Sequence, residues 1–119
     1  MGKRILVIDD EEMILTTIKL TLEDLGHTVF TTSDTDKGIE AALTGDYDLV
    51  ITDIRMPERT GAEIVEAVLE KKPGVRILVM TAYPGDPLAE KAMNAGAVGL
   101  LKKPFEAHKV LDFIKNPAD

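Results

Sequence analysis

Ile5-Leu6-Val7-Ile8, followed at once by Asp9-Asp10, is the stretch whose reading decides the fold. An unbroken aliphatic run rich in β-branched residues reads as a strand buried on both faces, the kind found inside parallel sheets. Similar runs lie downstream. Leu49-Val50-Ile51-Thr52 ends in Asp53, and Ile77-Leu78-Val79-Met80 ends in Thr81-Ala82. Val98-Gly99-Leu100-Leu101 runs into Lys102-Lys103-Pro104. As neighbouring parallel strands, these runs bring their carboxyl ends to one rim of a sheet. Three carboxylates, a hydroxyl and an ammonium then share a pocket, a set suited to a divalent metal and a phosphoryl group.

Longer segments of helical period separate the runs, which is the βαβ alternation of a parallel sheet. Glu12 to Leu25 places Ile14, Ile18, Leu22 and Leu25 on one face, and Gly26 supplies its stop. A further strand near Thr28 to Thr32 leads into Ser33-Asp34, residues suited to capping a helix that stops at Gly45. Thr60-Gly61-Ala62-Glu63 reads as a capping box, followed by a buried stripe of Ile64, Ala67 and Val68 and an end at Lys72-Pro73-Gly74. Asp86-Pro87 opens a fourth helix, which Gly96 closes. A last helix turns Val110, Leu111 and Ile114 inward. Five strands and five helices in strict alternation, joined by right-handed crossovers, predict a doubly wound α/β/α sandwich with a five-stranded parallel sheet.

The 119 residues suit one domain spanning 1–119. No repeat, linker or low-complexity tract interrupts it, and Asn116-Pro117-Ala118-Asp119 reads equally as a chain end or the start of a linker. The absence of cysteine excludes disulfides, thiol catalysis and thiolate metal sites. Two histidines, His27 and His108, are too few for a histidine-rich zinc site and read as surface residues. No stretch is long and apolar enough for a membrane span, no signal-peptide pattern opens the chain, and Leu6 occupies the position where myristoylation requires Ser or Thr. The expectation is a cytoplasmic protein without membrane contact. A net charge of −7 disfavours direct binding to nucleic acid, so proteins are the expected partners.

In a doubly wound sheet, ligands bind beyond the carboxyl ends of the strands, at the switch in winding. Two carboxylates about 4 Å apart repel by roughly 4 kcal/mol at an effective dielectric near 20. Three together therefore call for a cation. Hard oxygen donors beside a phosphate favour Mg²⁺ over zinc, with Mn²⁺ as a substitute. A carboxylate can attack phosphorus to give an acyl phosphate, and Asp53, alone on a middle strand and facing Asp9-Asp10, is the better nucleophile. The Thr81 hydroxyl, the Ala82 amide and the Lys103 ammonium are then placed to contact the phosphoryl oxygens. Taken one at a time, each residue has a plainer reading: Asp9-Asp10 as helix caps, Asp53 as a turn residue, Thr81 as a strand-end hydroxyl, Lys103 as a surface charge. The set in order is what argues for chemistry.

That set resembles the receiver domain of two-component response regulators. The resemblance covers essentially the whole chain. It rests on Ile8-Asp9-Asp10-Glu11, Asp53-Ile54-Arg55-Met56-Pro57, Thr60-Gly61, Met80-Thr81-Ala82, Gly96-Ala97 and Lys103-Pro104-Phe105, in that order. It implies a flavodoxin-like fold with strand order 2-1-3-4-5 and a phosphorylation-activated switch rather than an enzyme turning over a substrate. By the resemblance, Asp53 accepts the phosphoryl group from a histidine kinase or a histidine phosphotransfer protein. Asp10, Asp53 and the backbone carbonyl of Arg55 bind Mg²⁺ directly, with Asp9 acting through water. Thr81 and Lys103 contact the phosphoryl group, Lys103 because it directly precedes Pro104, across a bond expected to be cis. Strand alternation agrees, since Lys102 should point to the opposite face. A downstream protein is expected on the face made by the fourth helix, last strand and last helix, and phosphorylation-dependent dimerisation is a further expectation.

Three positions bear on lifetime and coupling. Arg55, two residues after the acceptor, and Tyr83, two after Thr81, are bulky and are expected to shield an acyl phosphate from water. Leu100 stands where receivers that switch by rotating an aromatic ring carry Tyr or Phe, so coupling of that form is not expected. Three competing readings fit less well. An aspartyl phosphohydrolase resembling the haloacid dehalogenases wants Asp-x-Asp at the first strand end, where this chain has Asp9-Asp10-Glu11-Glu12, and a cap domain that it lacks. A phosphorylation-independent pseudo-receiver is at odds with the intact acidic set, Thr81 and Lys103. Nucleotide hydrolysis fails for want of a phosphate-cradling glycine-rich loop.

Overall fold

The computed structural model describes residues 2–103, 109, 110 and 113. The element order is β1 (Arg4–Ile8), α1 (Glu12–Asp24), β2 (Thr28–Thr32), α2 (Thr35–Thr44), β3 (Leu49–Asp53), α3 (Gly61–Lys71), β4 (Ile77–Thr81), α4 (Pro87–Ala95) and β5 (Gly99–Lys102). All strand pairs are parallel, in the order β2-β1-β3-β4-β5 that the resemblance implied.

Strand alternation sorts the core into two layers. Leu6, Ile8, Val50, Ile77 and Val79 face one side, where they meet Ala42 of α2, Ile64, Val65 and Val68 of α3, and Ala92 of α4. Ile5, Val7, Leu49, Ile51, Leu78, Met80 and Leu101 face the other, against Leu15, Ile18 and Leu22 of α1 and Val110. β1, β3 and β4 are buried from Ile5 to Ile8, Leu49 to Asp53 and Ile77 to Thr81, as interior parallel strands should be.

Helix starts follow the expected chemistry. The Asp34 carboxylate accepts from the Lys37 N–H at 3.0 Å. The Thr60–Glu63 capping box is complete: Glu63 N–H donates to Thr60 Oγ1 at 3.1 Å, and Thr60 N–H donates to Glu63 Oε1 at 2.8 Å. Asp86 caps α4 and Pro87 sits in its first turn, while Gly96 ends it at φ 120°, a conformation that favours glycine.

Some expectations shift. The buried stripe of α1 is Leu15, Ile18 and Leu22, with Ile14 at its margin. Leu25 is 47% exposed because the helix ends at Asp24 and its last turn carries Leu25 out of the stripe. In α3, Ala67 is half-buried and Val65 takes its place in the core. β5 begins at Gly99, leaving Val98 exposed. Four helices are bounded among the described residues, against five expected. Of the fifth, Lys109, Val110 and Phe113 are helical, whereas Leu111, Ile114 and the Lys103–Pro104 bond lie outside the described residues, as does His108.

One glycine ties the fold to the rim. A Cβ on Gly61 would stand 2.6 Å from the Asp53 carbonyl oxygen and 3.0 Å from Ile54 Cα, backbone atoms that cannot move aside cheaply. Gly61→Ala should therefore destabilise the chain by about 1–3 kcal/mol, overriding the helix-propensity gain of up to about 1 kcal/mol. Gly74→Ala, where a Cβ meets nothing within 4 Å, is the control. Urea unfolding of the two variants measures the difference.

Candidate functional site

Side-chain parity builds the site. Asp9 continues the Ile5-Val7 row of β1, Asp53 the Leu49-Ile51 row of β3, and Lys103 the Leu101 row of β5, all on the face covered by α1. Lys103 Nζ consequently lies 3.1 Å from Asp9 Oδ2 and 3.2 Å from Asp53 Oδ2, with Glu11 Oε1 at 3.6 Å. Lys102, one residue earlier, is exposed. Of the two adjacent lysines, the pleat thus brings Lys103 to the acids.

The two carboxylates at the centre are deeply placed. Asp9 has no exposed surface and Asp53 is 6% exposed, while Asp10 is open to solvent. Burial is the main reason that the Asp9 carboxyl is pushed up to about 6. The Glu11 N–H and Lys103 work against this, and the Asp53 charge adds to it. Burial likewise raises Asp53, in part offset by Lys103 and by the Ile54 N–H that donates to Oδ1 at 2.8 Å. For Lys103, burial disfavours the ammonium, but Asp53 and Asp9 outweigh it and its pKa ends above the ordinary value.

Asp9, Asp10 and Asp53 each offer an oxygen within 4.8 Å of the others. Asp9 Oδ2 is buried and, among the described residues, is met by the Lys103 ammonium at 3.1 Å without a well-formed hydrogen bond. A buried, under-satisfied carboxylate oxygen in an all-oxygen set fits a hard divalent cation such as Mg²⁺. A cleft of about 270 Å³ beside Asp10 is lined by the further acids Asp34 and Glu58. A second, of about 200 Å³, is lined by Asp53, Arg55, Thr81, Tyr83, Asp86 and Lys103. The acidic side suits the cation and the basic side suits a phosphoryl group.

Two features of the second cleft were not read from sequence. The Thr81 hydroxyl donates to the Tyr83 carbonyl at 3.1 Å and accepts the Tyr83 N–H at 3.0 Å, so it is engaged with the β4–α4 loop and not with Asp53. Arg55 makes a two-pronged ion pair with Asp86, Nε to Oδ2 at 2.6 Å and Nη2 to Oδ1 at 2.9 Å. The Asp86 carboxyl is held below its usual range by those bonds and by the Leu88 N–H, and Arg55 is raised in turn. Asp86 was recognised only as a cap. The available signal was that β3 and β4 are neighbours, so opposite charges shortly after each strand end share a rim.

A sequence profile described as the response regulator receiver domain matches residues 5–115. The chain belongs to the response regulator receiver domain family. Its two-component relatives include the chemotaxis protein CheY of Halobacterium salinarum, 31% identical over 116 residues, or 98% of this chain and 97% of that one. The transcriptional regulatory protein DltR of Streptococcus agalactiae is 37% identical over 112 residues, 94% of this chain but 50% of that protein. This receiver chain thus spans about half the length of some of the curated relatives it matches. Among solved structures, the response regulator TrrA of Thermotoga maritima in complex with Mg²⁺ and beryllofluoride superposes with a TM-score of 0.83 at 32% identity, covering 93% of this chain and 98% of that one.

The raised carboxyls give this receiver a pH signature. From the unfolded value near 4 up to about 6, folded Asp9 keeps a proton that the unfolded chain has released, and Asp53 acts in the same direction. Stability without metal should therefore fall as pH rises through that window, by an amount on the order of 3 kcal/mol for Asp9. Mg²⁺ should restore it above the window. Thermal melts from acid to neutral pH, in EDTA and in Mg²⁺, measure both effects. Asp9→Asn should flatten the slope and weaken the response to Mg²⁺.

Proposed function

We propose that this chain is a single receiver domain, over residues 1–119, that accepts a phosphoryl group on Asp53 from the phosphohistidine of a kinase or phosphotransfer protein. The observation that carries the reading is the convergence of Asp9, Asp53 and Lys103 on one side of the sheet rim, with Asp10 beside them. Its setting is the cytoplasm. Among the described residues no helix is long and apolar enough to cross a membrane.

Asp53 supplies the nucleophile. Burial raises the proton affinity of its carboxylate, and with it the donor strength of the attacking oxygen, while Lys103 stabilises the charged form. One carboxylate oxygen forms the new P–O bond as the P–N bond to the donor imidazole breaks and its electron pair returns to nitrogen. Lys103 then neutralises part of the charge on the transferred group. The Thr81 hydroxyl and Ala82 amide contact it once Thr81 lets go of Tyr83. Asp9, Asp10, Asp53 and the Arg55 carbonyl would hold Mg²⁺ or Mn²⁺, which supplies Lewis-acid charge neutralisation at the phosphoryl oxygens. The chain thus catalyses its own phosphorylation and slow dephosphorylation and turns over no other substrate. Its modified α4, β5 and last-helix face binds a downstream protein or a second copy of the chain.

Incubation with acetyl phosphate and Mg²⁺, read by intact mass, should give a phosphate-sized gain that Asp53→Asn removes. A gain that survives the substitution overturns the assignment, and steady turnover of a generic phosphate ester would mark a phosphohydrolase instead.

Lifetime is set at the mouth of the cleft. Arg55 is fixed there by Asp86, whereas Tyr83 is 73% exposed. Arg55→Ala should shorten the half-life of the phosphorylated chain severalfold, and Tyr83→Ala should change it much less. Decay followed by the same mass measurement separates the two.

A further inference from the structure

The Arg55–Asp86 pair joins two loops with different duties. Arg55 lies in the loop after β3, next to Asp53, and that loop is pinned at its base by the Arg55–Thr60 bridge and the bond from Gly61 N–H to the Ile54 carbonyl at 2.8 Å. Asp86 is the N-cap of α4, accepting the Leu88 N–H at 2.9 Å. The Arg55 side chain is 64% exposed and the Asp86 side chain 4% exposed. The guanidinium is therefore open to solvent on its outer side, while the carboxylate beneath it is covered.

We propose that Asp86 is a positioning residue for the chemistry at Asp53: it holds the Arg55 guanidinium at the cleft mouth in the resting chain and yields it to the phosphoryl group, which releases the start of α4. The inference rests on the acceptor reading of Asp53. A guanidinium fork matches a phosphoryl group as well as a carboxylate, and the phosphoryl group carries more negative charge. Asp53, Arg55 and Asp86 line one cleft, so the exchange is a turn of the Arg55 side chain within it.

The consequence for α4 is electrostatic. Deprived of Arg55, the Asp86 carboxylate loses both charge-assisted bonds to the β3–α3 loop and keeps the Leu88 N–H, so the tie that holds the start of α4 to the neighbouring loop is gone. Its backbone is then free to shift. The Asp86 N–H donates to the Tyr83 carbonyl at 2.9 Å, the same carbonyl that accepts from the Thr81 hydroxyl. A Thr81 hydroxyl drawn to the phosphoryl group and a guanidinium drawn off Asp86 thus loosen one loop from its two ends.

The test is NMR of the isotope-labelled chain with Mg²⁺, before and after beryllofluoride, a phosphoryl mimic. In the wild type the Arg55 Nε–H resonance and the amides of Asp86, Leu88 and Ala89 should all move. In Arg55→Ala the amides of Ile54 and Thr81 should still respond while those at the start of α4 should not. Asp86→Asn keeps an oxygen for Leu88 but loses the charge; it should shift the resting Arg55 Nε–H and tighten beryllofluoride binding severalfold. An unmoved Arg55 Nε–H in the wild type, or a full α4 response in Arg55→Ala, overturns the proposal with the acceptor reading intact. Unchanged affinity in Asp86→Asn overturns it as well. If no amide near Asp53 responds, or the response survives Asp53→Asn, the acceptor reading falls and this inference falls with it.

Discussion

Asp9 and Asp53 are carboxylates taken almost wholly out of water at the end of the sheet, and the ammonium of Lys103 reaches both. Removing a charge from solvent is strongly unfavourable unless another charge compensates. The strand order makes the compensation available. β1 and β3 are adjacent, which sets the two acids side by side, while β5 lies beyond β4 and the long Lys103 side chain spans the gap. Burial, with the Asp53 charge beside it, still raises the proton affinity of Asp9 against the pull of that one ammonium. The resting rim thus holds an electrostatic tension that a divalent cation would relieve, whereas an incoming phosphoryl group adds negative charge for the cation and Lys103 to offset.

Around that tension the walls differ in stiffness. On one side, the β3–α3 loop is held by backbone bonds, a complete capping box and the close approach of Gly61 to the Asp53 carbonyl. On the other, the β4–α4 loop has the backbone bond from Asp86 N–H to the Tyr83 carbonyl and, beside it, side-chain fastenings, Thr81 onto Tyr83 and Asp86 onto Arg55. Backbone fastening persists as long as the fold does, whereas side-chain fastening gives way to a competing charge. Leu100, packed partly into the α2–α3–α4 layer, adds no aromatic ring to the moving side.

Most of the fold and the centre of the site were legible because they follow from period and parity. A residue two places beyond a buried strand residue shares its face: alternation favoured Lys103 over Lys102 in the sequence, and in the structure the same rule sets Asp9 in the Ile5-Val7 row and Asp53 in the Leu49-Ile51 row. Caps at Asp34, Thr60 and Asp86 were readable for the same local reason. What escaped depended on distance through space. Nothing in the chain near residue 55 announces an acid at 86, and nothing near Thr81 says that its hydroxyl closes a local turn in the resting form. Leu25 was misread because the helical period gives no sign of where a helix stops. Where Arg55 and Tyr83 had looked equivalent, only the first has a partner that fixes it among the contacts described.

Asp86 Oδ1 accepts from both Arg55 Nη2 and the Leu88 N–H, each at 2.9 Å. One atom therefore ties the loop beside Asp53 to the first turn of α4. Alanine at this position would remove both bonds at once, whereas asparagine would keep an oxygen for Leu88 and lose the charge that holds Arg55.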